Sequence, residues 1–234
     1  IVSLIRQIMA NTKIPEDVGE IYEKIHAETV WLHHRWACYS ELFRHTPRRI
    51  ELLNASAPTF FFIVQELIER DVVLSFSRLT DPARDNRKNE NISLDMLQER
   101  LKSLSAPESE QFIQSCQELL GRLKIQCKPL LHLRRKVVAH FDLKVALCKH
   151  EENRLPNLSF QVIEDALGTL RDYLNMIERY FSGNHGEYYF YPAGNNGGAE
   201  SLIAFLRYGL RCEELLQQEK ISPLDLNQGD WHDA

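Results

Sequence analysis

The residues best suited to chemistry are a guanidinium and an imidazole five positions apart, Arg135 and His140, within Arg134-Arg135-Lys136-Val137-Val138-Ala139-His140-Phe141-Asp142. An imidazole with a pKa of about 6.5 takes up and releases a proton at neutral pH, and a guanidinium keeps its charge there. Cleavage of RNA by its own 2′-hydroxyl needs both, one group to move protons and one cation to hold the charge that builds on phosphorus. The spacing alone is permissive. Arg followed by His with four to six residues between occurs as Arg134/His140, Arg135/His140 and Arg179/His185, so context must choose among them.

Charge supplies that context. Residues 119–150 hold Arg122, Lys124, Lys128, Arg134, Arg135, Lys136, Lys144 and Lys149 against the single acid Asp142, a balance of +7 inside a chain of net charge −5. Such a block is either an anion site or a solvated face neutralised by acids elsewhere in the fold, and the sequence weighs the two about equally. Arg179/His185 lies outside it and straddles Gly183.

Other chemistries find little to work with. Five cysteines, Cys38, Cys116, Cys127, Cys148 and Cys212, are an odd number without close pairing, which suits buried thiols of a cytoplasmic protein better than disulfides or a zinc ribbon. Nine histidines include no His-Glu-x-x-His spacing, so no metal is expected. The absence of a P-loop or dinucleotide pattern argues against a nucleotide cofactor, and no cofactor is expected. The longest apolar run, Phe60 to Val64, is too short to span a bilayer, and no signal-peptide pattern is visible, so no membrane association is expected.

The elements that must position these residues read as helices. One starts near Pro15, with Glu16 and Asp17 at its positive end, carries Val18, Ile21, Ile25, Leu32, Trp36, Tyr39 and Phe43 as an inward stripe, and stops at Thr46-Pro47. After a short helical piece, Ser56 is expected to cap a second long helix with Val64, Ile68, Val72, Phe76 and Leu79 inward, ended by Pro82. Residues 85–91 read as an exposed loop. Ser93 caps a short helix, and the capping box Ser105-Ala106-Pro107-Glu108 opens a third long one that Pro129 should kink or restart. Ser159 caps a further helix, with Ile163, Ala166, Leu170, Tyr173, Ile177 and Phe181 inward and Gly183 as its stop. Residues 183–198 hold five glycines and Tyr188-Tyr189-Phe190-Tyr191, either rings laid on the bundle or a stacking platform for bases. Leu202, Phe205, Cys212 and Leu216 mark the apolar stripe of a last helix, at about 199–217. The expectation is one domain over 1–234, all-α, with a core bundle at about 15–181.

Two stretches, Arg135-Lys136-x-x-Ala139-His140-x-Asp142 and, more loosely, Ser77-Arg78-Leu79-Thr80-Asp81-Pro82, resemble the signature of the HEPN superfamily, in particular its bacterial abortive-infection U-type branch. The likeness covers roughly residues 16 to 181. It implies a four- or five-helix bundle, here with an extra C-terminal helix after the Gly- and aromatic-rich loop. It also implies a homodimer that cuts RNA without metal, acting as a toxin or phage-defence effector, with an antitoxin protein as partner. On an uninterrupted helix Arg135 and His140 stand roughly 140° apart, so a single chain makes a poor site. Two copies of the segment across a two-fold axis, as the resemblance implies, would bring His140 of one chain to Arg135 of the other. In that arrangement Asp142 orients the imidazole, and Lys128, His132, Arg134, Lys136 and Lys144 hold RNA phosphates, with Arg78 and Asp81 in support. One residue departs from the pattern, since Lys136 follows the Arg where many active relatives have a small polar side chain. The alternative is a non-catalytic module that binds nucleotide, RNA or an acidic protein. In it His140 is a helix-end histidine held by the dipole and Asp142, and Arg134 and Arg135 form surface ion pairs.

Overall fold

Glu16 and Asp17 place carboxylates in the first turn of a helix, where the dipole favours them, and the N–H groups of Val18 and Gly19 donate to the Pro15 carbonyl oxygen at 3.0 and 2.8 Å. In the computed structural model, which describes residues 14–104, 109–134, 159–182 and 198–222, this helix is α1, Glu16–Phe43. It is followed by α2, Pro47–Ser56; α3, Pro58–Thr80; α4, Leu94–Lys102; α5, Glu110–Leu133; α6, Phe160–Ser182; and α7, Ala199–Gln217. Among the described residues there is no sheet, only an isolated bridge between Arg84 and Glu90 in the connection from α3 to α4. The all-α architecture read from periodicity is therefore the one observed. No helix among the described residues is long and apolar enough to cross a membrane.

The described chain groups into two packed units. The larger takes the described residues up to 35 and between 68 and 182. Its core is built from Val18, Ile25 and Leu32 of α1, Val72, Phe76 and Leu79 of α3 and Ile163, Leu170, Tyr173 and Ile177 of α6, all at positions of the predicted stripes, together with Leu94, Leu97 and Leu101 of α4 and Leu120, Leu123 and Leu130 of α5, all buried. One polar chain crosses this core. The Tyr173 hydroxyl donates to Gln98 Oε1 at 3.1 Å, and Gln98 Nε2 donates to the Ile113 carbonyl oxygen at 3.1 Å, so these buried polar groups are satisfied while α6, α4 and α5 are tied together.

The smaller unit takes residues 36–67 and the described residues 198–222. Leu42, Leu53, Phe61, Ala199 and Ile203 form its buried cluster, flanked by half-buried Leu52, Val64 and Leu206. Arg49 links α2 to α7 through a two-pronged bond to the Glu200 carboxylate at 2.7 and 3.1 Å and a further bond to the Glu41 carbonyl oxygen.

Local signals were read with mixed success. Ser93 caps α4 as expected, its hydroxyl oxygen accepting from Met96 N–H at 3.4 Å. Ser93→Ala should lower stability by about 1 kcal/mol, read as a shift in the urea midpoint at constant slope. Thr46, expected only as a stop, also caps the next helix, accepting from Arg49 N–H at 3.3 Å with Pro47 in the first position. Ser56 does not cap α3. It ends α2 with its hydroxyl donating to the Leu52 carbonyl oxygen at 2.8 Å, and α3 opens at Pro58, whose missing N–H is no loss in a first turn. The helix does not break at Pro129, because Pro129 and Ile125 lie on the exposed side of α5, where a carbonyl without its partner can be hydrated. The capping box at 105–108 lies outside the described residues.

The stripe expected to pack α7 is also corrected. Ala199 and Ile203 are buried and Leu206 half-buried, whereas Leu202 and Phe205 are exposed, the latter by 72%. The helix has apolar residues on more than one side, and the small Ala199 admits close approach at its first turn.

Candidate functional site

Six buried side chains decide which side of α5 can meet a ligand. Cys116, Leu119, Leu120, Leu123, Cys127 and Leu130 face inward, which leaves Arg122, Lys128 and His132 exposed on the other side. Lys128 and His132 are four residues apart and share a face, separated by about 6 Å of helix rise. Neither they nor Arg122 form an ion pair with a described residue. The rest of the described basic block is neutralised: Lys124 Nζ lies 2.6 Å from Asp95 Oδ1, and Arg134 Nη1 lies 3.7 Å from Asp81 Oδ1. The reading of the block as a face neutralised by acids elsewhere in the fold thus holds for Lys124 and Arg134.

The Arg134–Asp81 pair connects the two stretches singled out in the sequence. Arg134 is the residue after α5, its N–H donating to the carbonyl oxygens of Leu130 and Leu131. Asp81 is the residue after α3, just before Pro82. Burial pushes the Asp81 carboxyl above its ordinary value, and the Arg134 guanidinium acts against that rise.

One turn earlier, Arg78 is held by a carboxylate that the sequence reading missed. Glu28 Oε1 accepts from Ser75 Oγ at 2.8 Å, from Arg78 Nη2 at 3.0 Å and from Arg35 Nη2 at 3.2 Å, while Arg35 Nη1 also bonds Asp71. Arg78 Nη2 further reaches Ser75 Oγ at 3.2 Å. The Arg78 side chain nevertheless stays 58% exposed. It is a guanidinium fixed at one nitrogen and open to solvent elsewhere. A signal for Glu28 was available, because it stands between Ile25 and Leu32 on the inward stripe of α1, where an unpaired carboxylate would be costly.

The other described histidines and thiols with altered acidity are unsuited to proton transfer or attack at neutral pH. Burial lowers His26 and His33 to about 4, with Arg171 and then His34 adding to the effect at His33. Burial raises the Cys116 and Cys127 thiols to about 12. Arg135, Lys136, His140, Asp142 and Lys144 lie outside the described residues, as do positions 183–197 with their aromatic run. The described part of the site is therefore Lys128, His132 and Arg134 with Arg78 and Asp81, of which Arg134 and Asp81 are in contact.

Comparison with known proteins bears on the whole of this arrangement. A family model, HEPN_AbiU2, described as AbiU2, matches residues 15–202. No curated protein and no solved structure gives a match. The match takes in α1 through α6, the Arg134–Asp142 stretch and also the Gly- and aromatic-rich segment, beyond the limit of about 181 that the short motifs suggested. It spans well over half of the 234 residues, and the chain belongs to the AbiU2 family of HEPN domains.

Proposed function

We propose that this chain is a metal-independent endoribonuclease of HEPN type, active as a homodimer in the cytoplasm and serving as a toxin or phage-defence effector restrained by an antitoxin protein. The observation that carries the reading is the family match over residues 15–202, which contains both Arg135 and His140. His140 acts as general base on the 2′-hydroxyl; the 2′-oxygen bonds phosphorus as the bond to the 5′-oxygen breaks, and the leaving oxygen is protonated by the same or the partner imidazole. Arg135 neutralises the equatorial oxygens, and Asp142 orients His140. Lys128, His132, Lys136 and Lys144 hold flanking phosphates. Arg134, through Asp81, sets where the chain leaves α5, and Arg78 offers its free guanidinium edge next to that corner.

Solvent exposure of Lys128 and His132 on one face of α5 supports the binding part of this reading. The second reading, a non-catalytic module for nucleotide, RNA or an acidic partner, is favoured by Lys136 in the place of a small polar residue. Incubation of the purified protein with RNA in excess chelator separates the two, since chelation silences metal-dependent contaminants. Fragments with cyclic phosphate ends are expected. RNA that is bound but intact at every protein concentration would establish the module and remove the nuclease.

A further inference from the structure

Among the described residues of the larger unit, two large aromatic side chains are exposed, Trp31 and Tyr180. Tyr180 is already stacked on Phe112, with ring centroids 3.9 Å apart and planes 4° from parallel. Trp31 is 55% exposed, and its neighbour His34 meets it at 5.8 Å and a tilt of 57° rather than stacking on it. The flat face of an indole takes up another flat ring, and a nucleobase of any identity offers one.

The surroundings of Trp31 point to such a partner. Glu28, Trp31 and Arg35 follow one another at three and four residues on α1, within about 60° around the helix axis. Asp71, Ser75 and Arg78 are spaced in the same way on α3. Glu28 and Arg35 join the two rows: Glu28 Oε1 accepts from Ser75 Oγ at 2.8 Å and from Arg78 Nη2 at 3.0 Å, and Arg35 bonds both Glu28 and Asp71. Arg35 Nε also donates to the Trp31 carbonyl oxygen at 3.1 Å. The indole therefore stands one turn from the carboxylate that holds Arg78, and Arg78 bonds described groups through Nη2 alone while its side chain stays 58% exposed. Arg35 and Arg78 balance Glu28 and Asp71, so the cluster has no net negative charge to repel a polyanion. An open ring face beside a cation that is fixed at one nitrogen suits the two ends of a nucleotide, its base and its phosphate. The place is also apt, because Asp81 lies one turn beyond Arg78 and pairs at 3.7 Å with Arg134, the residue before Arg135.

We propose that Trp31 and Arg78 form a subsite for single-stranded RNA, in which a base stacks on the indole and a neighbouring phosphate meets the open edge of the guanidinium that Glu28 and Ser75 hold. The inference rests on RNA being the molecule bound and is indifferent to whether it is cut. Anisotropy of a labelled single-stranded RNA tests it, with 2′-O-methyl groups throughout so that the strand cannot be cut by its own hydroxyls. Trp31→Ala should weaken binding roughly tenfold or more and leave its salt dependence unchanged, and Trp31→Phe, which keeps a ring, should stay within about threefold of the unaltered chain. Arg78→Ala should also weaken binding, and should lower the slope of log affinity against log salt by about 0.7, the share of one phosphate on a single strand. Phe205→Ala, at an exposed ring of the smaller unit, should change nothing. Because a variant can lose affinity by losing structure, an oligomer of the same length without bases provides a second measurement: the unaltered chain and Trp31→Ala should bind it equally. Full affinity in Trp31→Ala, no rescue by Trp31→Phe, an unchanged slope in Arg78→Ala, a loss as large in Phe205→Ala, or a loss in Trp31→Ala that persists on the baseless oligomer would each overturn the proposal. Cleavage of ordinary RNA is scored separately. Expected losses of binding without any cleavage defeat the nuclease alone, cleavage with binding indifferent to Trp31 defeats the subsite alone, and an unaltered chain that binds no RNA defeats both.

Discussion

His140→Ala is expected to slow RNA cleavage by roughly 10²–10⁴-fold, the range over which a positioned general acid or base contributes. Arg135→Ala should cause a loss of similar size, because a phosphorane that loses its cation loses the charge that neutralises it. The informative experiment mixes the two inactive chains. If each site takes its imidazole from one chain and its guanidinium from the other, a mixed dimer contains one intact site and one site lacking both groups. An equimolar mixture that exchanges freely is half mixed dimers, so about a quarter of the activity of the unaltered protein should return. A mixture as inactive as its components, with exchange verified by mass, would show that both groups act within one chain. Equal cutting by His140→Ala and the unaltered protein would remove the imidazole from the mechanism altogether.

Acid should destabilise the larger unit well before its carboxylates are exhausted. His26 and His33 sit on α1 with folded-state pKa values lowered to about 4 by burial, and at His33 also by Arg171 and His34. In the unfolded chain both titrate at about 6.5, so between that value and 4 the unfolded state binds the more protons and acidification favours it. The stability due to keeping these imidazoles neutral is fully present above pH 6.5. It falls through the interval and has gone by about pH 4, a loss of about 3 kcal/mol per imidazole at full effect. Glu178 opposes this in part: burial raises its carboxyl, a hydrogen bond with Tyr22 limits the rise, and its protonation favours the folded state. Urea midpoints between pH 4 and 7 for the unaltered protein and for His26→Leu and His33→Leu provide the check. Each substitution should flatten the slope against pH, whereas a simple loss of packing would lower the whole curve and leave its slope alone. Parallel curves would show that the imidazoles are hydrated in the folded state.

Helical periodicity was enough to foresee which sides of several helices in the larger unit are buried. Val18, Ile25 and Leu32, or Ile163, Leu170, Tyr173 and Ile177, recur at intervals that only a helix brings to one side, and those side chains are buried. The same reasoning failed at α7, where apolar residues occur on two sides and burial depends on which one α2 approaches. At Pro129 the helix runs on without a restart: the proline costs a hydrogen bond and crowds the preceding turn, but on the exposed side the carbonyl it orphans can be hydrated, and that exposure is set by what packs on the opposite side.

The family was legible in two short stretches, and the match over residues 15–202 upheld it. The sequence by itself determined helix content, the Ser93 cap and inward stripes of the larger unit, because propensity, capping and period are properties of neighbouring residues. Tertiary structure alone decided that Lys124 and Arg134 are neutralised by Asp95 and Asp81 while Lys128 and His132 face water, and that Glu28 holds Arg78. Those partners lie tens of residues away along the chain, and only packing decides which distant charges come within a few ångströms of one another.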